Sequence, residues 1–379
     1  MAQITSTSNK QAILDTNIHH NVHIPLGHEN PDQEVRRLIQ AHRAHENSRH
    51  KPTPGGSNWQ PIGNYEHSFK NIKNLLPEAP NKKFIFHNKL PKCGSTTMND
   101  ILKNLAAFNH FLYFKMDAES MKFDEEINLI KWIFNHKKST KMSKNSPLFL
   151  MQHHYWMNFS KYDIEQPTMI NVIREPMDWF SSHYHFQMNG WYRSPGDRAK
   201  KKEKSRKNEM PLEDCIMKEK FMCKKNKWRY IEFFVGSDAY SSLKWQEHTG
   251  TSTTSVKDTK NLDTDEEKRL GVAHAKNRLL KDYHVIGVLE QFEDTLELFE
   301  HMMPEFYHGA SKIYKSYTIQ ETKNQTRSIG KVPVSIAAEI KMKTSVLRHE
   351  SDLYDFTRAL FNERLRYKRS HFLRRIFGL

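Results

Sequence analysis

Two short clusters in this chain carry the residue types that hold phosphate. The first lies in "FIFHNKLPKCGSTTMNDILKNLAAF", residues 84–108, where an apolar run gives way to Pro91, Lys92, Cys93, Gly94, Ser95, Thr96 and Thr97. Strand, glycine-bearing loop and helix follow in the order of a phosphate-binding turn, whose backbone N–H groups face an anion. Gly94 permits close approach, the three hydroxyls add donors, and Lys92 adds a point charge. The loop lacks the GxxxxGK[ST] ending of nucleotide hydrolases, and an ordinary strand-to-helix turn with a Ser/Thr cap has the same order. The second cluster is in "INVIREPMDWFSSHYHF", where Arg174 ends an apolar run and Ser182 follows eight residues on. A guanidinium and a hydroxyl on one rim suit a second, terminal phosphate. Pairing of Arg174 with Glu175 or another carboxylate is the plainer alternative.

Both clusters need a frame that brings strand ends together. Apolar strands are expected at 82–90, 146–156, 168–176 and 282–292. Helical patterns follow the first in "TTMNDILKNLAAFN", the third in "MDWFSSHYHFQM" and the fourth in "EDTLELFEHMM". In the first helix Met98, Ile101, Leu102 and Leu105 share a face. Such alternation predicts an α/β fold with a central parallel sheet flanked by helices, and ligands in such sheets bind beyond the carboxyl ends of the strands. Every cluster above sits at one of those ends.

Residues 1–78 are rich in His, Asn, Gln, Ser and Pro, with "KPTPGGSNWQP" as a breaker, and read as a flexible polar stem with one short helical pattern around Glu34–His45. The folded domain is expected over 79–379. Across 379 residues the formal charge is +15 and only 37% are apolar; the pI is near 9.4 and the mean hydropathy −0.80. That excess predicts a polyanionic partner. A nucleic-acid binder would explain the charge but not the phosphate loops, and no nucleic-acid motif is present. There is no CxxC pattern, so no metal site is expected, the histidines of "NIHHNVHIPLGHEN" included. Of the three cysteines, Cys215 and Cys223 are eight apart, within reach of a local bridge. No apolar run of about eighteen residues and no signal-peptide core are visible, which reads as a chain without an anchor.

Taken together, PKxGS followed by IR[DE]P…S resembles the paired 5′- and 3′-phosphate loops of Golgi carbohydrate sulfotransferases, which use 3′-phosphoadenylyl sulfate (PAPS). The likeness extends to the uronosyl 2-O-sulfotransferases of heparan and of dermatan or chondroitin sulfate. "HHYWMNFSKY" is similar to their histidine strand, "LEDC…C" to their disulfide-bearing loop, and "LLKDYHVIGVLEQFEDTLELFE" to their late strand and helix. The likeness runs over about residues 82–370. It implies a P-loop-like sulfotransferase fold in which Lys92 contacts the oxygen bridging sulfate and 5′-phosphate. Gly94, Ser95, Thr96 and Thr97 would cradle that phosphate, Arg174 and Ser182 the 3′-phosphate, and Arg327 would close a late basic loop over the nucleotide. His153 matches the base that takes the proton of a sugar hydroxyl. His154 would point to the opposite face, and which of the two serves needs a structure. Lys89, Arg193 and Arg198 match positions that grip an acidic polysaccharide, while Lys200, Lys201 and Lys202 read as a long-range attractor. The resemblance also implies a Cys215–Cys223 bridge, N-glycosylation at Asn158 and Asn324, a Golgi location, a homotrimer and no metal.

The chain departs from the family pattern in three places. No anchor is visible, "FFVGSDAYSS" lacks the cysteines of a second disulfide, and 244–269 reads as an inserted polar loop. A catalytically silent glycosaminoglycan binder would keep Arg193, Arg198 and the lysines without needing Lys92 and His153 together. The presence of both favours an enzyme. Acceptor signals divide between the heparan and the chondroitin/dermatan branches.

Overall fold

The computed structural model describes residues 75–116, 123–138, 146–189, 210–224, 230–236, 265–316 and 331–377, with positions 65 and 69. Five parallel strands make one sheet: β1 (Phe84–Asn88), β2 (Leu112–Lys115), β3 (Leu148–Gln152), β4 (Thr168–Ile173) and β5 (Tyr283–Val288). Their spatial order is β2-β3-β1-β4-β5. Four of the strands match the expected ones. The fifth, β2, has only four residues, half-buried or exposed, and an edge strand of that kind lacks the continuous apolar run that marks the others.

Helices connect the strands. They are α1 (Ser95–Phe108), α2 (Phe123–Lys138), α3 (Pro176–Asn189), α4 (Leu212–Met217), α5 (Phe221–Lys224), α6 (Tyr230–Val235) and α7 (Asp265–Lys281). After β5 come α8 (Phe292–Met302), α9 (Pro304–Tyr307), α10 (Ala310–Tyr314), α11 (Ile336–Thr344) and the long α12 (Arg348–Phe377). Helix α1 buries Met98, Ile101, Leu102 and Leu105, the face expected from their spacing.

β1, β3, β4 and β5 are buried at every position, so both faces of the sheet are covered. On one face Phe149 packs among Phe111, Phe306 and Tyr307. On the other, Phe86 packs edge-on to Phe159 with ring centroids 5.3 Å apart. Each such ring, fully buried, stabilises the fold by about 1.5–3 kcal/mol. Helix α12 closes the β5 side, where Lys276 pairs with Asp352 at 2.7 Å. Tyr65 donates to the same carboxylate at 2.6 Å, and Tyr65 and Phe69 both sit edge-on to Phe356. These two side chains and buried Leu75 come from the stretch whose composition reads as stem.

The chain runs from β1 out to β2, back to β3 and then across β1 to β4, so its direction of winding reverses beside β1. The crevice above the carboxyl end of β1 is the place where a doubly wound sheet opens to a ligand. Lys92, His153 and Arg174 follow β1, β3 and β4 respectively.

Candidate active site

The loop after β1 is built from two left-handed residues, Lys92 at φ 62° and Gly94 at φ 74°. Alternating such a residue with ordinary backbone turns successive N–H groups to one side, the concave arrangement that receives anions. Lys92 holds this conformation against a Cβ clash of about 1–2 kcal/mol, so its neighbours must enforce it. Helix α1 begins on Gly94 with no side-chain cap and no acidic residue in its first turn. The N–H groups of the first turn are the part of a helix that favours negative charge. Ser95, Thr96 and Thr97 occupy that turn, each half-buried. A Cβ on Gly94 would lie 2.6 Å from Leu289 Cδ1, so the loop also packs tightly on the chain leaving β5.

Arg174 and the loop are directly joined. Its Nη1 donates to the Lys92 carbonyl at 3.1 Å, and Trp179 Nε1 of α3 donates to the Pro91 carbonyl at 2.9 Å. The Arg174 carbonyl accepts from Tyr230 Oη of α6 at 2.6 Å. The next residue is fixed from two further elements. The Glu175 N–H donates to Glu290 at 3.0 Å, and the Glu175 carboxylate pairs with Lys343 at 3.1 Å. Ser182 lies two turns along α3 and is buried. Arg174 is thus held by the loop and by α6, not by the adjacent Glu175.

Burial pushes the Lys92 ammonium down to about 8, with the neighbouring Arg174 guanidinium acting in the same direction. Its Nζ stands 4.2 Å from the centroid of the Phe186 ring on α3. Cys93 is buried, and burial pushes its thiol up to about 12. It stays protonated and packs as a small apolar group.

The two histidines part in the bend just past β3, which ends at Gln152. His154 is buried at 3% exposure, tilted against Phe86 with Nδ1 on the Tyr155 carbonyl. His153 is half-buried, and its Nδ1 is 2.9 Å from the Lys89 carbonyl. A carbonyl can only accept, so Nδ1 carries the proton of the neutral ring and Nε2 carries the lone pair. A ring nitrogen in that state can take a proton. Lys89 itself is 2% exposed, just past β1 and three residues ahead of Lys92, so the anchor of His153 and the phosphate loop are one piece of backbone. Below them His87 is buried, pushed down to about 3 by burial and then by Lys89 and His153; it remains neutral.

Arg193, Arg198, Arg327 and Asn324 lie outside the described residues, as do Lys200, Lys201, Lys202 and the pattern at Glu34–His45. Asn158 is half-buried and its Oδ1 accepts from the Ser160 N–H at 3.1 Å. Cys215 and Cys223 form a disulfide with Cα atoms 5.9 Å apart, at the α4–α5 corner. Among the described residues no helix is long and apolar enough to cross a membrane. The sequence gives no hint of Tyr230 or Trp179, since each meets the site through contacts distant along the chain. Phe186 had a faint signal: it stands one turn beyond Ser182, on the same face of the helix.

Residues 89–231 match the family model of the sulfotransferase domain. Over 296 residues the chain is 26% identical to heparan sulfate 2-O-sulfotransferase 1 of Mus musculus, covering 76% of this chain and 72% of that protein. The same protein of Gallus gallus is 26% identical over 292 residues, covering 76% and 72%. Uronyl 2-sulfotransferase of Homo sapiens is 25% identical over 302 residues, covering 78% of this chain and 64% of that protein.

Proposed function

We infer that this chain is a PAPS-dependent carbohydrate sulfotransferase, and on that premise we propose that it sulfates the 2-hydroxyl of a hexuronic acid in a glycosaminoglycan. The observation that carries the reading is the joint placement of His153 and Lys92. The base nitrogen is set by the Lys89 carbonyl, and the same short backbone segment forms the phosphate loop. The uncapped first turn of α1, with Ser95, Thr96 and Thr97, fits a 5′-phosphate, and Arg174 with Ser182 fits a 3′-phosphate. PAPS supplies the sulfuryl group and departs as the bisphosphate.

His153 Nε2 accepts the proton of the acceptor hydroxyl as that oxygen bonds to sulfur and the bond from sulfur to the phosphate oxygen breaks. The Lys92 ammonium and the loop N–H groups neutralise the charge that arrives on the phosphate. His154, packed in the core, has no part in this. Arg193 and Arg198 would grip the acidic chain, helped by the +15 net charge. Support for the acceptor comes from the names of the relatives, and the Golgi lumen is the compartment that fits such a substrate.

The test is sulfate transfer from PAPS to desulfated heparan, dermatan and chondroitin chains, read by disaccharide analysis, with His153→Ala alongside. A 2-O-sulfated disaccharide from one polymer, absent with the variant, is the expected result. Heparin binding with no transfer to any polymer would overturn it in favour of a silent binder.

A further inference from the structure

Helix α3 and the residues leading into it touch the loop after β1 at three successive levels. Just ahead of the helix Arg174 Nη1 holds the Lys92 carbonyl, in its first turn Trp179 Nε1 holds the Pro91 carbonyl, and two turns further the Phe186 ring meets the Lys92 side chain. The first two contacts fix the left-handed backbone of Lys92; the third concerns its charge. Lys92 is half-buried beside a guanidinium, so both desolvation and a like charge act against its ammonium. The face of an aromatic ring attracts a cation through its quadrupole, most strongly where water is scarce. At 4.2 Å from the centroid the ammonium is well inside the range of that attraction.

We propose that Phe186 is a positioning residue for Lys92, its ring face keeping the ammonium charged and aimed across the phosphate loop. The assignment rests on the sulfuryl-transfer reading for its catalytic meaning, but the pairing itself is independent of turnover. Ser182 and Phe186 are four residues apart on α3 and so share a face. The helix therefore serves both ends of the nucleotide: Ser182, with Arg174 just ahead of the helix, at the terminal phosphate, and Phe186 at the leaving phosphate through Lys92. Among the described residues, Arg174, just past β4, disfavours the Lys92 charge and Cys93 of the loop itself favours it. Both are the same in every variant below.

The experiment compares Phe186→Leu, which keeps apolar bulk but removes the π face, with Phe186→Trp, which keeps the face. The reactivity of Lys92 toward an amine-acylating reagent is followed against pH and resolved by peptide mass spectrometry. Phe186→Leu is expected to lower the Lys92 midpoint by about one pH unit, while Phe186→Trp leaves it at or above the wild-type value. The alkaline limb of kcat/KM for PAPS should move down by the same amount in Phe186→Leu only. An unchanged midpoint in Phe186→Leu overturns the proposal. So does an equal fall in both variants, which would mark Phe186 as packing alone. If the wild type transfers no sulfate yet the midpoint shifts as stated, the Phe186–Lys92 pairing stands and only the sulfuryl chemistry falls.

Discussion

Replacing Tyr230 by Phe tests how the site is held, because one hydroxyl joins three segments. Tyr230 is fully buried in α6. Its Oη donates to the Arg174 carbonyl at 2.6 Å, and the Cys93 thiol is within hydrogen-bonding reach of the same oxygen. Burial raises its pKa well above the ordinary phenol value, so it is a donor at every working pH. The ring stands edge-on to Trp179 at 5.0 Å, and Phe keeps that contact. The substitution therefore removes one atom and strands the Arg174 carbonyl. An unmet buried acceptor costs about 1–3 kcal/mol. Tyr230→Phe should lower the urea midpoint accordingly with an unchanged m value. It should also weaken adenosine 3′,5′-bisphosphate binding, since Arg174 loses its rear support. Tyr184→Phe is the comparator. Its hydroxyl donates to the Met210 carbonyl, also at 2.6 Å, but Tyr184 keeps 5% exposure against 0% for Tyr230, so water has readier access to replace the donor. Its cost should be nearer 0.5–1.5 kcal/mol, the ordinary value of about one net hydrogen bond. A Tyr230→Phe protein matching wild type in both midpoint and bisphosphate affinity would refute the reasoning.

Three other outcomes are expected. His153→Asn keeps an N–H placed to meet the Lys89 carbonyl but has no base, so transfer should fall roughly 10²- to 10⁴-fold while the melting temperature stays put; retention of a tenth of the activity would remove His153 from the base role. Lys92 sits below its unfolded value, so the unfolded chain binds more protons between about 8 and the ordinary lysine range, and this group disfavours the fold at all lower pH. Lys92→Met should thus stabilise the donor-free protein at pH 7, on the order of 2 kcal/mol, while abolishing transfer, and wild-type activity should decline as pH rises through about 8; a destabilised Lys92→Met would contradict both statements. Removing the Cys215–Cys223 bridge with a Cys215→Ser, Cys223→Ser pair should cost about 2–3 kcal/mol by loop-closure entropy, measured by chemical denaturation, with donor affinity unchanged because the bridge lies at α4–α5.

Much of the site was legible because its signals are local. The phosphate loop shows itself as strand, glycine and helix within one stretch of chain. His153 and His154 do part as alternation along a strand would have it, but β3 ends at Gln152, so the bend that follows it is what separates them. Four strands were visible because buried parallel strands are apolar throughout, whereas β2, half-buried at the edge, was not. Tyr65 and Phe69 were hidden for the opposite reason: a polar stretch carries two rings whose partner, Phe356, lies near the other end of the chain.

Tertiary structure decided how these pieces are held. The sequence offers Arg174 as a phosphate ligand or a partner for Glu175; the fold adds that its guanidinium reaches the Lys92 carbonyl and that its own carbonyl is tied to Tyr230. No periodicity encodes such contacts, because they join residues brought together only when β1, β4 and α6 pack. Residue types and local order marked out a loop fit for phosphate and a histidine at the end of a neighbouring strand. Packing decided which nitrogen of that histidine keeps the proton and that an aromatic face lies under the lysine, because both depend on distances across the fold.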